Sequence, residues 1–332
     1  MSEQIPRFLG EGLSFVPQCG HCHKQGVPLR KCAGCGIMKY CSRDCQKASW
    51  PTHKPMCRSQ DANPMRSAIT PAEVGHSTGI SLARAVNRWS KMHDYTCDII
   101  AHVEMMLDGN WSLPASGERV LLFGLVSRTP SDPDGSPSSE FTVDVHYIAT
   151  RREYVTHGIY IVASQWEPNA VRSRQELEAS LRAKLESVEG TPKLAGILPK
   201  TTYLVGTGMV TGGSCRVYFP TGYQPGAPVD LVTKVWLKLL LNICLETINM
   251  GLVLRPRDLR DRSSTLPLIG KYVQHKKKWR WQSAEEWAWK ALAKVMLEKY
   301  LCVYTPSDIF ATYHKLWQYG MPGNPAPAEE MD

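Results

Sequence analysis

Two patterns of apolar and polar positions divide the chain near residue 76. From Leu82 onward, Ala85, Val86, Trp89, Met92, Ile99, Ile100, Val103, Met106 and Leu107 recur at spacings of three and four, which predicts one long amphipathic helix. Runs rich in β-formers follow at 120–126 and 141–148. They flank Ser131-Asp-Pro-Asp-Gly-Ser-Pro-Ser138, a stretch of turn formers, and so predict a hairpin with a mobile loop. A further strand is expected at 158–162, with short strands near Tyr203 and Val217. Helices are expected at about 172–188, 229–250, 283–300 and 307–318. The most apolar stretch, Val235 to Leu254, is crossed by Lys238, Asn242, Glu246 and Asn249, so it reads as a buried helix and not a membrane span.

The first 76 residues follow neither period. At 332 residues, 43% apolar and with ten Trp and thirteen Tyr, the chain has material for roughly two domains and is not disordered over its length. The expected division is an N-terminal tail at 1–18, a compact module at 19–57, a polar, proline-containing linker at 58–76, one larger domain at 77–320 and a disordered tail at 321–332. No apolar run of secretory length opens the sequence, so the protein is expected inside the cell, in the nucleus and/or cytoplasm.

Cysteine placement sharpens the picture. Seven of the eleven cysteines fall between Cys19 and Cys57, leaving Cys97, Cys215, Cys244 and Cys302 elsewhere. In a reducing compartment, cysteines at short fixed spacings hold metal more often than they form disulfides, and seven cannot all pair with one another. His53 completes the set: Cys19-x2-Cys22-x9-Cys32-x2-Cys35-x5-Cys41-x3-Cys45-x7-His53-x3-Cys57. Eight ligands suffice for two tetrahedral zinc ions with no open position for water, so the metal is structural. Two intervening residues form a knuckle whose thiolates converge on one ion. Three intervening residues place both ligands on one helical face, which suits Cys41/Cys45 and His53/Cys57. Ser42 is the expected N-cap of the first helical turn, and Pro51 is expected to break it before the second. Spacing alone leaves sequential and interleaved ligand pairings equally complete.

The run Tyr40-Cys-Ser-Arg-Asp-Cys-Gln-Lys-Ala-Ser-Trp50-Pro-Thr-His53-Lys-Pro-Met-Cys57, taken with the two upstream knuckles, resembles a MYND-type zinc finger across all eight ligands. The resemblance implies an interleaved cross-brace. Zinc 1 would then be held by Cys19, Cys22, Cys41 and Cys45, and zinc 2 by Cys32, Cys35, His53 and Cys57. Apolar material in the module is scarce, chiefly Val27, Leu29, Ile37, Met38, Tyr40 and Trp50, so metal must supply much of its folding energy. His21 and His23 are surplus to the ligand count and are read as exposed.

Between Cys19 and Arg58, eight lysines and arginines are opposed by a single acid, Asp44. Seven thiolates and two zinc ions reduce this to a modest excess of positive charge. Gln46 and Trp50 lie four apart on the expected helix and face the same way. An aromatic ring beside a polar amide can grip an extended proline-containing peptide, at the cost of ordering little. Resemblance to MYND fingers implies the same use, since that family takes short proline- and leucine-containing motifs through the glutamine and tryptophan of a Cys-Gln-x3-Trp segment, here Cys45, Gln46 and Trp50. A purely structural role for Trp50 in the module's small core is the competing reading.

Residues 77–320 carry no recognisable catalytic motif, and no catalytic residue is assigned. His102-Val-Glu104 superficially resembles part of a metal site, but on a helix residues two apart point about 200° apart and cannot share an ion. The glycines of Val205-Gly-Thr-Gly-Met-Val-Thr-Gly-Gly213 are explained by a hairpin turn, because a strand and not a helix follows them. Asp144 and His146 alternate with Val143, Val145 and Tyr147 as on a solvated sheet face. Some MYND fingers sit within SET-domain lysine methyltransferases, but no Asn-His-Ser-Cys run occurs here. The basic segment 255–280, with His275-Lys-Lys-Lys-Trp-Arg-Trp281, fits an import signal, a nucleic-acid contact, or tryptophans entering a core beneath solvated lysines.

The sequence therefore predicts an α+β protein: a small two-zinc cross-brace finger followed by a larger mixed helix and antiparallel-sheet domain. The expected role is recruitment of a protein partner bearing a proline-containing motif, in transcriptional regulation, with no membrane contact. The alternatives are an enzyme of unknown reaction in residues 77–320 targeted by the finger, and a nucleic-acid binder acting through 255–280.

Overall fold

The structure is a computed structural model and describes residues 19–22, 24, 27–33, 38–58, 69–109, 119–128, 136–150, 168–186, 193–207, 209–219, 229–257, 264, 266–275 and 278–319. At the N-terminal end, β1 (Arg30–Lys31) and β2 (Lys39–Tyr40) pair antiparallel and lead into helix α1 (Arg43–Arg58). A 3-10 turn at Ala72–Val74 precedes α2 (Gly79–Met92) and α3 (Asp94–Asp108). Strands β3 (Arg119–Ser127) and β4 (Phe141–Thr150) are followed by α4 (Pro168–Glu186), β5 (Leu194–Leu204), β6 (Met209–Tyr218) and α5 (Leu231–Asn249). The chain continues through β7 (Val253–Arg255), β8 (Leu268–His275) and β9 (Lys278–Ser283) to α6 (Glu285–Tyr300) and α7 (Pro306–Tyr319). This is the expected α+β class.

Strands β3 to β6 form one sheet in the order β4-β3-β5-β6, and β7 to β9 form a second, antiparallel one. In the first sheet β3 pairs antiparallel with β4 and parallel with β5, so the sheet is mixed. Central position explains the composition of β3: Val120, Leu121, Leu122, Phe123 and Leu125 are all buried, as expected of a strand covered on both faces. Helices α2, α3 and α5 cover one face through Trp89, Ile100, Val103, Leu240, Cys244 and Ile248, which meet Leu121, Phe123, Leu198 and Val217 in the main core.

The long helix expected from Leu82 to Leu107 is in fact two. His93 leaves helical geometry, at φ −98° and ψ 10°, and serves as both the end of α2 and the cap of α3. Its fully buried ring is 3.0 Å from the Ser138 carbonyl, so tertiary anchoring interrupts a pattern that is continuous in sequence. The β3–β4 hairpin and the turn between β5 and β6 form as expected. Most of the hairpin loop, the strand expected at 158–162 and the tail at 321–332 lie outside the described residues.

A bulge corrects the solvated-face reading of β4. Gly124 pairs with Val145 while Leu125 pairs with Val143, leaving Asp144 as the extra residue. The shift exposes Asp144 and turns His146 to the side of Val143 and Ile148, where its Nε2 lies 3.1 Å from Glu104 of α3. Asn249 holds this distortion: its Oδ1 accepts from the Val143 N–H at 2.8 Å, and its Nδ2 is 3.4 Å from the Val143 carbonyl. Glu246, another polar interruption of α5, is buried and accepts from Lys299 Nζ and Tyr300 Oη, each at 2.6 Å. Part of the expected linker is docked on the larger domain, with Ile69 N–H on the Gly206 carbonyl at 3.0 Å and His76 3.0 Å from Glu140.

The basic segment is partly architectural. Arg255 stacks on Trp281 at 4.7 Å and donates to Tyr272 Oη at 2.9 Å, and Arg257 pairs with Glu285. Trp289 packs against the main core and Trp279 and Trp281 are half-buried, but Trp287 is 47% exposed. The four tryptophans therefore do not all enter a core. Three fall on a sheet or against the core, while the helical turn at Trp287 points it away.

Candidate metal centre

Local chemistry brings the first ligand set together. The knuckle at Cys19 is closed by its own N–H on the Lys24 carbonyl at 3.0 Å, and Gly20 N–H reaches Lys39 at 2.7 Å, tying the knuckle to β2. A Cβ on Gly20 would stand 2.6 Å from Met38 Cε, the movable end of a flexible side chain, and 3.3 Å from the Lys39 carbonyl, so the knuckle packs tightly on β2. Beyond β2, Ser42 Oγ caps α1 by accepting the Cys45 N–H at 3.1 Å. Cys41 and Cys45 thereby present their sulfurs at the helix start. The ligand atoms of Cys19, Cys22, Cys41 and Cys45 all lie within 4.8 Å of one another. Cys41 Sγ is 3.5 Å from both Cys22 Sγ and Cys45 Sγ.

These separations fit a zinc ion. Sulfurs placed tetrahedrally at about 2.3 Å from zinc stand about 3.8 Å apart. Electrostatics agree with the geometry. Burial pushes the Cys19 thiol up, but backbone N–H groups of Cys22, Cys41 and His21 aimed at its sulfur outweigh this and lower it to about 6. Cys41 is pushed up to about 12 by its contacts with Cys22 and Cys45, since adjoining sulfurs cannot all carry charge without a cation among them.

Helix α1 runs unbroken from Arg43 to Arg58, and the break expected at Pro51 does not occur. Proline tolerates helical φ and forfeits one hydrogen bond. Cys41 and Cys45 before it, clustered with the Cys19/Cys22 knuckle, and His53 after it, packed on Tyr40 of β2, anchor the helix to the hairpin, so that loss is absorbed. Gln46, Trp50 and His53 consequently form one stripe on a continuous helix. Of the second expected ligand set, Cys32 and His53 are buried; Cys35 and the Cys57 side chain lie outside the description. His53 packs edge-on against Tyr40 and Trp50, with ring centroids 6.0 and 5.9 Å apart. His21 is exposed, and His23 is outside the described residues.

The two residues expected to touch a partner are both half-buried. Gln46 Nε2 lies 3.5 Å from Cys32 Sγ, a distance at which an amide supports a thiolate. Trp50 packs with Leu29 and Met38 on the finger's core of Cys19, Cys32 and Tyr40. Sequence reasoning missed one participant, Ile80. Tyr40, already counted among the module's scarce core residues, is buried with its hydroxyl 3.3 Å from Ser49 Oγ, whereas Ile80 of α2 packs against the finger core from 40 residues beyond β2's end in a different element. No local pattern marks Ile80, because its contact is tertiary.

Residues 19–57 match the sequence model of the MYND finger family. The chain thus carries a MYND-type zinc finger at this end of an α+β fold. It is 44% identical over 53 residues to the SET domain and MYND-type zinc finger protein 6 of Schizosaccharomyces pombe, a match covering 16% of this chain and 11% of that protein. Over 43 residues it is 44% identical to Tudor domain-containing protein 1 of Oryzias latipes, covering 13% and 4% respectively. Histone-lysine N-methyltransferase SMYD3 of Homo sapiens is 42% identical over 40 residues, covering 12% and 9%. The chain thus spans 4% to 11% of the length of these relatives. No solved structure matches it. No helix of the described residues is long and apolar enough to cross a membrane.

Proposed function

We propose that the finger is a two-zinc protein-interaction module that recruits a partner through a short proline-containing motif, in the setting of transcriptional regulation, in the nucleus and/or cytoplasm. The observation that carries this is the joining of the Cys19/Cys22 knuckle to Cys41 and Cys45 at the start of α1. A cross-brace leaves the rest of α1 to hold the second ion through Cys32, Cys35, His53 and Cys57. On the same helix Gln46 and Trp50 remain partly open beside the hairpin. Half-buried aromatic rings of this kind are stiff at low entropic cost and form the floor on which a proline ring stacks.

Zinc quantitation on the reduced, natively purified chain tests the metal arm; two ions per chain are expected, and one or none overturns it. The binding arm is tested by comparing partners captured by the wild type and by Trp50→Ala, after both are shown to hold equal zinc. Loss of a partner bearing a proline-containing motif is expected. Retention of the same partners by Trp50→Ala would remove the helix stripe as the recognition surface and turn attention to residues 77–320 as a catalytic domain targeted by the finger.

A further inference from the structure

We propose that the end of the larger domain formed by the start of α5 and the segment 301–304 is a self-association surface, occupied by a second copy of this chain. Large apolar residues exposed to solvent concentrate there: Leu231 (77%), Val232 and Val235 on α5, Leu297 on α6, and Leu301 (84%), Val303 (79%) and Tyr304 just beyond it. Trp236 and Tyr304 pack with ring centroids 4.5 Å apart, which joins the two segments into one surface.

Leu301 departs from what the fold alone asks for. It ends α6 in the left-handed region at φ +52°, the single non-glycine residue with positive φ among the described residues. Its N–H bonds to the Leu297 carbonyl and that of Cys302 to the Met296 carbonyl, the double bond pattern in which helices usually place glycine. Glycine adopts this conformation without steric cost, whereas leucine does not. The side chain gains nothing within the monomer, because it is almost wholly in water. A strained backbone that projects an apolar side chain into solvent is explained when that side chain is covered by something else.

Size and charge identify what covers it. The seven residues leave on the order of 800 Å² open, which matches the roughly 800 Å² per partner of a standard interface and exceeds the largest patch of a typical monomer, about 300–600 Å². The flanking charges are of both signs: Lys234 and Lys238 along α5, Asp230 at its cap, and Asp308 in the first turn of α7. A surface selecting an acidic or a basic partner would be rimmed by one sign. A mixed rim suits a two-fold arrangement, in which each lysine of one copy faces an aspartate of the other.

Sedimentation of the full, zinc-loaded chain from about 1 to about 100 μM tests the proposal. The expected result is a reversible shift from the 37.2 kDa chain to twice that mass. Leu301→Gly preserves the left-handed cap, so in the monomer range it should melt no lower than the wild type, yet weaken the dimer by about tenfold or more. Val303→Asp should do the same by placing a charge in the contact. Trp287→Ala, at an exposed tryptophan near the opposite end of α6, should leave assembly unchanged. A monomer throughout this range overturns the proposal. So does a dimer indifferent to Leu301→Gly and Val303→Asp, or one weakened equally by Trp287→Ala.

Discussion

Lys200 Nζ on β5 lies 2.7 Å from Asp94 Oδ1 at the start of α3, with the lysine side chain 4% exposed. The pair ties the main helical layer to the sheet. Removing one partner strands the other, so Lys200→Ala is expected to cost about 2–3 kcal/mol, less than for a fully buried pair because Asp94 is partly solvated. Lys200→Met combined with Asp94→Asn should recover most of that loss. Urea unfolding of the two variants beside the wild type checks both statements.

Asp98, one turn further along α3, is pushed up to about 7 by burial, with Lys200, Arg216 and Cys215 pulling down and Asp94 pushing up. Between about pH 4 and pH 7 the unfolded chain has released this proton while the folded chain retains it. The contribution of Asp98 to stability therefore falls as pH rises through that window. Asp98→Asn is expected to gain stability relative to wild type on going from pH 4 to pH 8, as read by thermal melts across that range.

Burial lowers both His93 and His102 to about 4. Below about pH 6.5 the unfolded chain binds protons at these sites and the folded chain does not, so this contribution is lost as pH drops towards 4. His102 is further defined by its partners. Nε2 accepts the Tyr218 N–H at 2.9 Å, so the proton sits on Nδ1 and is donated to the Asp98 carbonyl at 2.8 Å. An NMR titration should show a neutral His102 ring down to about pH 5; a midpoint above 6 would contradict the assignment.

Asn249 satisfies both backbone groups of Val143 beside the β4 bulge. Asn249→Ala is expected to destabilise by about 1–3 kcal/mol and to speed exchange of the Val143 amide selectively. Uniform protection across β4 in the variant would show that the bulge holds without the clamp.

Gly251 has φ +72°, and a Cβ there would stand 2.4 Å from Ser139 Cβ, whose neighbour Ser138 donates to the Gly251 carbonyl at 2.7 Å. Gly251→Ala combines strain with a clash against a segment already tied down. A loss of at least about 2 kcal/mol is expected in chemical denaturation.

Chelation should separate the two parts of the molecule. The finger's buried core is Cys19, Cys32 and Tyr40, far too little to fold without metal, whereas the larger domain has its own extensive core. Zinc removal is expected to abolish the near-ultraviolet signal of Tyr40 and Trp50 while the cooperative transition of the larger domain persists.

The finger was legible in the sequence because metal chemistry is local. Its ligands recur at spacings set by a knuckle and by a helical turn, so residue type and interval are enough to name Cys19, Cys22, Cys41 and Cys45 as candidates before any fold is known. The helices at 229–250 and 283–300 and the β3–β4 hairpin were legible for a similar reason, since period and turn chemistry act over a few residues. Pro51 shows the limit: its propensity to end a helix was outweighed by anchoring on both sides.

Contacts between segments distant in the chain carried no such signature. His93 breaks a continuous apolar stripe because Ser138 receives its ring, and Asp144 shifts a clean alternation because Asn249, more than a hundred residues away, holds the bulge. Likewise Ile80 meets the finger, and Lys200 finds Asp94, through packing alone. Short-range spacing constrains which groups can converge within a turn or a knuckle; which faces meet across the molecule is settled by the burial of whole surfaces, where each residue's environment depends on all the others.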